Sequence, residues 1–437
     1  MRRYSFFFLF LCYSVFICQG QDLLQSGPML GYAEMKEVMI WVQTTEEAKV
    51  HIAYHPVDKP KEMYTTQAYQ TQAEEAFTAR LIANQVEPGN TYAYSVFIND
   101  KKVERSYPMT FQSLPLWQWR SDPPDMKIAL GSCAFISEER YDRPGKPYGG
   151  QYEIFASIHE QKPDFMLWLG DNMYLREADW YSRTGILHRY THTRKLPEMQ
   201  ALLASTHHYA IWDDHDFGPN NSDRTYRDKH LTLEAFKLFW GNPTYGLDGE
   251  SGTESMFQWG DLDFFLLDNR YHRTPPHKKG TDRKIIGDKQ LDWLIGSLIN
   301  SRATFKFVCI GGQVINSFVK YENHINIAPD ERQVLLDAIT ENEIKNVIFL
   351  TGDRHHSELS LYENKGIKVY DFTVSPLTSR AYESESEPNA LRVQGSQYGK
   401  RNFGIMEMTG EKGKRALTLF LYDTNGKEVW SQTLNPQ

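Results

Sequence analysis

The stretch "DFMLWLGDNMYLRE", residues 164–177, changes character at Gly170. Five apolar residues, Phe165 to Leu169, make a run with the length and composition of a buried strand. A glycine, an aspartate, an asparagine and a tyrosine then follow closely. Taken alone, Gly-Asp after a strand is often only a turn closed by a side-chain hydrogen bond. The sequence therefore raises the question whether Asp171 turns the chain or binds a ligand.

A similar pattern recurs along the chain, because other apolar runs also end in glycine, an acid, an amide, cysteine or histidine. These runs are "KIALGSC" (127–133), "HYAIWDDH" (208–215), "LDFFLLDNR" (262–270), "FKFVCIGGQ" (305–313) and "VIFLTGDRHH" (347–356). Helical stretches alternate with them, namely "QYEIFASIHEQ", "LTLEAFKLFW", "DKQLDWLIGSLINS" and "DERQVLLDAITEN". The alternation predicts an α/β layer fold in which the polar strand ends converge on one site.

The chemistry of these strand ends favours a metal site. Asp171 and Asp353 each follow a strand and a glycine, and His355 shares a face with Asp353 if the segment is extended. Residues 212–223, "WDDHDFGPNNSD", could be a solvated loop. Gathering like charges at the end of a buried strand is expensive without a cation, so a site is the favoured interpretation. Oxygen ligands and an imidazole from several elements suit metal ions.

The N-terminal segment and the composition of the chain narrow the range of possible functions. Residues 1–20 have the layout of a cleavable secretory signal, with arginines, an apolar core and a small residue before Gln21. A membrane anchor is disfavoured because the apolar core is shorter than the roughly 20 residues of a span. The formal net charge of -8 argues against general or sequence-specific nucleic-acid binding. Cys133 and Cys309 could form one disulfide, but Cys309 lies in "FKFVCIGG", a predicted buried strand in which cysteine commonly serves as a small apolar residue.

Residues 21–116 contain short β-type runs separated by turn-forming residues, which predicts a small β-sandwich. The phrase "VEPGNTYAYSVFIND" resembles the end of an immunoglobulin-like or fibronectin type III domain. A linker near "QWRSDPPD" then leads into the α/β part.

Six motifs together resemble the alkaline phosphatase D (PhoD-like) family of calcineurin-like metallophosphatases over about residues 125 to 410. They are "GSC" at Cys133, "GDNMY" (170–174), "WDDHD" (212–216), "LDNRYHR" (267–273), "GDKQLDWL" (287–294) and "GDRHH" (352–356). The resemblance implies a four-layer α/β/β/α sandwich preceded by the small all-β domain. The expected organisation is a signal at 1–20, a β-sandwich at 21–116 and a PhoD-like domain at 125–437.

The resemblance also implies a centre with one ferric ion and calcium ions, although other divalent metals would suit some of the ligands. The residues implied around the iron are Cys133, Asp171, Tyr174, Asp353 and His355, with Asp171 and Asp353 also facing calcium. Asp214 and His215 are expected at the metals or just behind their ligands. Asn220 is the expected ligand of the second metal zone, but the loop is one residue longer than in familiar family members, so Asn221 remains an alternative.

Two residues are candidates for catalysis. His215 could orient a water molecule or protonate the leaving oxygen. Arg270 could bind a phosphoryl oxygen, and its alternative is an ion pair with Asp268.

The preferred hypothesis is a secreted, periplasmic or cell-surface phosphoesterase that hydrolyses phosphate monoesters, diesters or both. A metal-bound hydroxide would attack phosphorus in such a mechanism. The substrate would be a small-molecule or lipid phosphate ester, with no stable membrane span after signal cleavage. Two alternatives stay open: a phospholipase-like or nucleotide-directed phosphodiesterase, and a secreted binding protein with an inactive phosphatase-like domain.

Overall fold

The computed structural model describes residues 23–280, 282–383 and 385–437. The predicted signal, residues 1–20, lies outside the described residues. In the N-terminal region the short alternating runs form strands, as predicted. These strands are β1 (Leu24–Ala33), β2 (Val38–Thr44), β3 (Lys49–Pro56), β4 (Tyr64–Thr65), β5 (Tyr69–Gln70), β6 (Thr78–Ala83), β7 (Thr91–Ile98), β8 (Lys101–Lys102) and β9 (Thr110–Gln112).

The following region alternates strands and helices, and each of the four predicted helical stretches is a helix. Its strands are β10 (Met126–Gly131), β11 (Phe165–Leu169), β12 (His207–Ile211), β13 (Ser255–Trp259), β14 (Leu262–Leu266), β15 (Phe305–Ile310), β16 (Val347–Thr351), β17 (Glu358–Asn364), β18 (Ile367–Thr373), β19 (Asn402–Thr409), β20 (Ala416–Asp423) and β21 (Glu428–Leu434). Its helices are α1 (Ile154–Glu160), α2 (Arg183–Arg194), α3 (Gln200–Ser205), α4 (Asp214–Phe217), α5 (Lys229–Phe239), α6 (Asp288–Asn300), α7 (His324–Ile327) and α8 (Pro329–Glu341).

Two large sheets pack face to face and carry helices on their outer faces. The first has the strand order β21-β20-β19-β10-β11-β12-β1-β2-β6, and the second has the order β13-β14-β15-β16-β18-β17. In β11, Phe165 and Leu167 belong to the core between the sheets, while Met166 and Trp168 pack with the helical layer. Helices α6 and α8 pack on the outer face of the second sheet. The predicted α/β/β/α layering is therefore confirmed.

The N-terminal region shares a sheet with the α/β region. Strand β1 runs parallel to β12, with Leu30 opposite His207. The His207 ring also contacts the Gly31 carbonyl at 2.8 Å, and Tyr94 donates to the Ala204 carbonyl at 2.6 Å. Strands β3, β7 and their short partners form a third sheet that covers β1, β2 and β6. The 21–116 and 125–437 division stays a prediction, and the strand pairing crosses it.

Two further expectations concern a disulfide and a membrane span. Cys133 and Cys309 are both free and buried, so the disulfide considered from the sequence is absent. Among the described residues, no helix combines the length and apolar character needed to cross a membrane.

Candidate metal centre

Four strand ends deliver the candidate ligands to one place. Strands β10, β11 and β12 are parallel neighbours in the first sheet, and β16 ends opposite them in the second. Cys133, Asp171, Asp353 and His355 all have left-handed backbone angles, with φ between 51° and 65°. Such angles are uncommon for residues other than glycine and cluster at functional sites. The local backbone is thus bent to turn these side chains inward.

Gly170 explains how two strand ends come together. Its φ is +88°, and a Cβ atom at this position would lie 2.7 Å from the Asp213 Cβ atom. Only glycine allows both the left-handed turn and this close approach. The glycine therefore brings Asp171 beside the acids that follow β12.

One group of possible ligands contains a thiol, a carboxylate and an imidazole. Ligand atoms of Cys133, Asp171 and His355 lie within 4.8 Å of one another. The Cys133 Sγ atom is 3.6 Å from Asp171 Oδ2, and the Tyr174 hydroxyl is 3.2 Å from His355 Nε2. The structure therefore brings together four of the five residues predicted around an iron. Asp353 belongs to a neighbouring group.

Two more groups extend this cluster through shared carboxylates. Asp171, Asp214 and His215 form one, and Asp213, Asp214 and Asp353 form the other. Asp171 thus belongs to two groups, and so does Asp214. A carboxylate shared in this way can bridge two cations.

Unpartnered oxygen atoms show that the residues fit metal ions. Asp213 Oδ2 and Asp214 Oδ1 are buried without a hydrogen-bond partner among the described residues. The nearest cation is Arg270, whose Nη2 atom lies 3.7 Å from Asp214 Oδ1 and therefore beyond hydrogen-bond distance. Buried polar atoms normally have a partner. A cation between these carboxylates would supply it.

Burial sets the protonation of the donors in the metal-free protein. Burial, followed by the charge of Asp171, raises the pKa of the Cys133 thiol well above its usual value. The pKa of the Tyr174 phenol is raised for the same two reasons. Burial also raises the pKa of Asp171 and of Asp353, each further raised by neighbouring carboxylates. A metal would displace these protons, because it binds the ionised forms.

Burial lowers the pKa of the histidines in the centre. Burial lowers the pKa of His355 to about 4, so its ring is neutral and able to coordinate at neutral pH. Burial also lowers the pKa of His215, although Asp214 opposes the effect. His215 is the more accessible of the two, with 22% of its side chain exposed. Its main-chain N–H donates to Asp171 Oδ1 at 3.2 Å, and its ring centroid is 4.2 Å from that of Tyr174.

Asp213 is a candidate ligand that the sequence interpretation did not single out. It is fully buried, and burial raises its pKa to about 6 in spite of Arg270. The signal was present, since Asp213 and Asp214 stand together after β12. Strand alternation would place only one of them in the site, but α4 begins at Asp214 and turns both inward.

Asn220 lies at the edge of the centre. Its side chain is exposed, and its amide donates to Asn221 Oδ1 at 2.9 Å. The main-chain N–H of Asn221 donates to Asp214 Oδ2 at 2.6 Å. The loop therefore supports a metal-site carboxylate, while ligation by Asn220 or Asn221 stays a prediction.

Arg270 is buried in ion pairs and does not face a cleft. Its guanidinium pairs with Asp213, and Nη2 lies 2.6 Å from Glu322 Oε2. The alternative ion pair with Asp268 is not formed, because the contact between the two residues is a hydrogen bond from the main-chain N–H of Arg270 to Asp268 Oδ1 at 2.9 Å. A contact with a phosphoryl oxygen stays a prediction that would require the side chain to leave both acids.

A family model described as PhoD-like phosphatase matches residues 129–414, more than half of the chain. The chain belongs to the PhoD-like phosphatase family. A second model, described as a domain of unknown function (DUF7800), matches residues 21–115. The family and its donor groups together indicate a metal centre.

Among curated proteins, alkaline phosphatase D of Bacillus subtilis (strain 168) is 23% identical to this PhoD-like chain over an alignment of 314 residues. The match covers 59% of the chain and 51% of the relative, so it spans about half of that relative's length. Among solved structures, PhoD aligns with a TM-score of 0.76 at 14% identity, covering 95% of this chain and 92% of that one. A purple acid phosphatase from yellow lupin (Lupinus luteus) seeds aligns with a TM-score of 0.68 at 10% identity, covering 94% and 74%. These two likenesses support the fold.

Proposed function

We propose that the chain is a metal-dependent phosphoesterase that hydrolyses phosphate monoesters, diesters or both. The observation that carries the proposal is the position of Asp171, whose carboxylate is shared by two groups of metal-type donors. Membership of the PhoD-like phosphatase family supports it. Bound metal ions would supply a nucleophile and offset negative charge on the phosphoryl group.

We assign the two zones by the chemistry of their donors. Cys133, Tyr174 and His355, with Asp171, would hold Fe³⁺, because thiolate and tyrosinate are strong anionic donors. The oxygen-only set of Asp213, Asp214 and Asp353, again with Asp171, would hold Ca²⁺. Asp171 bridges the two zones in this assignment.

His215 is the residue we propose to handle a proton at a substrate oxygen. Its ring is neutral near pH 7, because burial lowers its pKa, and its side chain is partly exposed. A neutral imidazole can donate a hydrogen bond from one nitrogen and accept a proton at the other. Its hydrogen bond to Asp171 ties its backbone to the bridging ligand.

Arg270 acts as a positioning residue in this proposal. It pairs with both Asp213 and Glu322, and Glu322 also pairs with Arg273. Asp213 would otherwise be a buried carboxylate with no charged partner on that side.

The decisive experiment replaces the shared carboxylate. Asp171→Asn should lose both metals and reduce hydrolysis of p-nitrophenyl phosphate and bis-p-nitrophenyl phosphate by at least about 10²-fold, since the metal zones supply both nucleophile and charge stabilisation. Asp263→Asn is the matched control, because Asp263 is also buried and hydrogen-bonded but lies on β14. Metal content is measured by elemental analysis and folding by circular dichroism. A folded Asp171→Asn protein that keeps full activity without metal would contradict the proposal.

The substrate class is tested by comparing a monoester, a diester and a phospholipid under one set of conditions. Preference for the phospholipid would support the phospholipase-like alternative. No hydrolysis of any of the three by protein with full metal content would support a binding role instead.

We also propose that the protein is exported after cleavage before Gln21. The layout of residues 1–20 supports this, and the match to the N-terminal family model begins at residue 21. N-terminal sequencing of protein from the expressing cells should begin at Gln21. An N-terminus at Met1 would contradict cleavage.

A further inference from the structure

A cavity of about 600 Å³ lies beside the metal centre but is not part of it. Its walls come from the segment that enters α5, the loop before β13, the loop after β14 and the first turn of α6. This volume lies within the roughly 300–1,000 Å³ of pockets that hold small organic ligands. The cavity is thus large enough for more than a simple ion.

The loop after β14 separates the cavity from the metal centre. Arg270 in this loop faces Asp213, whereas Tyr271 and His272 line the cavity. Asp268 fixes the loop by accepting hydrogen bonds from Trp212 Nε1 and from the main-chain N–H of Tyr271. The two sites therefore share a wall while their lining residues differ.

Cationic groups without an acidic partner face the cavity. Among the described residues, neither Lys229 nor Arg224 forms a side-chain ion pair; Lys229 Nζ lies 3.4 Å from the Tyr271 carbonyl and 4.3 Å from the centre of its ring. Other lysines at the wall are already paired, such as Lys284 with Asp288 at 2.6 Å. Lys229 and Arg224 therefore remain available to an anionic ligand.

The N-terminus of α6 also favours an anion in the cavity. The helix has 13 residues, its N-cap residue is Gly287, and no side chain caps it. Gly287 and the first-turn residues Asp288 and Lys289 line the cavity. The Gly287 N–H already donates to Glu331 at 2.9 Å, so the helix dipole and the N–H groups of Asp288 and Lys289 are what favour an anion at this end.

The buried side chain of Glu254 is an independent indication that the cavity binds a ligand. Glu254 is 3% exposed and lines the cavity, and its Oε2 atom has no hydrogen-bond partner among the described residues. Burial, followed by the charge of Asp268, raises its pKa to about 8, so the carboxyl group is mostly protonated at neutral pH. The nearest ionisable ring is that of His272, 3.7 Å from Oε1. A neutral carboxyl group can donate a hydrogen bond to an anionic oxygen.

We propose that this cavity is a second binding site, separate from the metal centre, for a small organic phosphate. The phosphoryl group lies between Lys229, Arg224 and the start of α6, and the Glu254 carboxyl group donates to one of its oxygens. A phosphoryl group presents three acceptor oxygens, which matches several separate donors better than one carboxylate does. The organic part contacts Leu247 and the ring of Tyr271, which both line the cavity.

The test uses phenylphosphonate, whose carbon–phosphorus bond is not an ester. Calorimetric titration of the metal-loaded protein should show two binding events per chain, one at the metal centre and one in the cavity. Lys229→Met should remove the cavity event or weaken it at least tenfold, and it should leave hydrolysis of p-nitrophenyl phosphate unchanged. Glu254→Gln, a neutral isostere, should bind within threefold of the wild type.

Lys127→Met is the matched control, because Lys127 is half-buried like Lys229, and neither it nor its ion-pair partner Glu407 lines the cavity. It should keep both events. Asp353→Asn should lose the metal-centre event and keep the cavity event. A single event that disappears in Asp353→Asn and persists in Lys229→Met would overturn the proposal, because all binding would then be at the metal centre.

Two further outcomes are informative. Phenylacetate binding as tightly as phenylphosphonate would overturn the assignment to a phosphate. A wild-type protein that hydrolyses no phosphate ester but shows the Lys229-dependent event would sink the proposed function and support the cavity site, so the two failures are distinguishable. A last titration identifies the kind of phosphate compound that the cavity binds. Unreacted substrate, reaction products and inorganic phosphate are each titrated into the Asp353→Asn protein, and the tightest binder shows whether the natural ligand is a substrate or product of the enzyme or an unrelated effector.

Discussion

Replacing Arg270 by methionine distinguishes a positioning role from a substrate contact. The Arg270 and Asp213 side chains are each 1% exposed, and Glu322 is 9% exposed. Arg270→Met leaves the buried Asp213 carboxylate facing an apolar side chain, whereas Glu322 keeps its ion pair with Arg273. Removing one partner of a buried ion pair typically destabilises a protein by about 3–5 kcal/mol. We expect a loss of this size in the metal-free protein.

Metal should reduce that loss, because a cation beside Asp213 compensates the carboxylate that Arg270 no longer faces. Urea unfolding of chelated and metal-loaded protein measures both values. Arg227→Met is the control, since Arg227 pairs with Asp228 at 2.8 Å but is 70% exposed. Exposed pairs contribute at most about 1 kcal/mol.

Kinetics of the metal-loaded Arg270→Met protein complete the test. Misplacement of Asp213 should lower kcat with little change in KM. Unchanged stability, within about 1 kcal/mol, together with a strongly raised KM would refute the positioning role, because a residue that only contacts substrate acts through binding.

Three further outcomes can be checked directly. Chelation should abolish hydrolysis, and return of iron and calcium should restore it; full activity after verified removal of both metals would contradict the metal assignment. Tyr174→Phe should lose any visible tyrosinate-to-iron absorption band of the iron-loaded protein, and a band that survives would exclude Tyr174 as a ligand. Burial raises the pKa of Glu358, but His356 and Arg392 outweigh it and lower the pKa from 4.5 to about 2. The resulting stabilisation is complete above about pH 5 and lost as pH falls from 4.5 towards 2, about 3 kcal/mol in all, so urea unfolding of Glu358→Gln should lack this loss.

The layers and the strand-end site could be predicted because they depend on local patterns. An apolar run such as Phe165 to Leu169 can only be a buried strand or a short helix, and the glycine after it marks its end. Parallel strands end at one edge, so Asp171 and Asp353 are expected together without knowledge of the exact register, and the family resemblance adds Cys133 to them.

Other features depend on contacts that no local pattern contains. The pairing of β1 with β12 joins residues 30 and 207, and the alternation within each strand is the same with or without it. The sequence offers Asp268 as an ion-pair partner of Arg270, as the alternative to a phosphoryl oxygen, whereas the partners in the structure, Asp213 and Glu322, are more than 50 positions away. The cavity at Glu254 likewise combines segments that carry no common motif.

The acids after β11, β12 and β16 are difficult to explain without cations. Asp171, Asp213 and Asp214 are buried together, and Asp353 shares a donor group with two of them. The nearby guanidinium of Arg270 carries a single positive charge and also pairs with Glu322, so it cannot neutralise these four carboxylates. In the metal-free protein, burial therefore raises the pKa of Asp171 and Asp353, and protons take the place of the missing charge.

Bound cations would reverse this state, since they bind the ionised carboxylates and release the protons. Metal affinity should then fall as pH is lowered, because protons compete for the same oxygens. The buried donor set thus makes metal binding stronger as the pH rises. This dependence follows from the buried carboxylates themselves and does not require His215 to titrate in the working pH range.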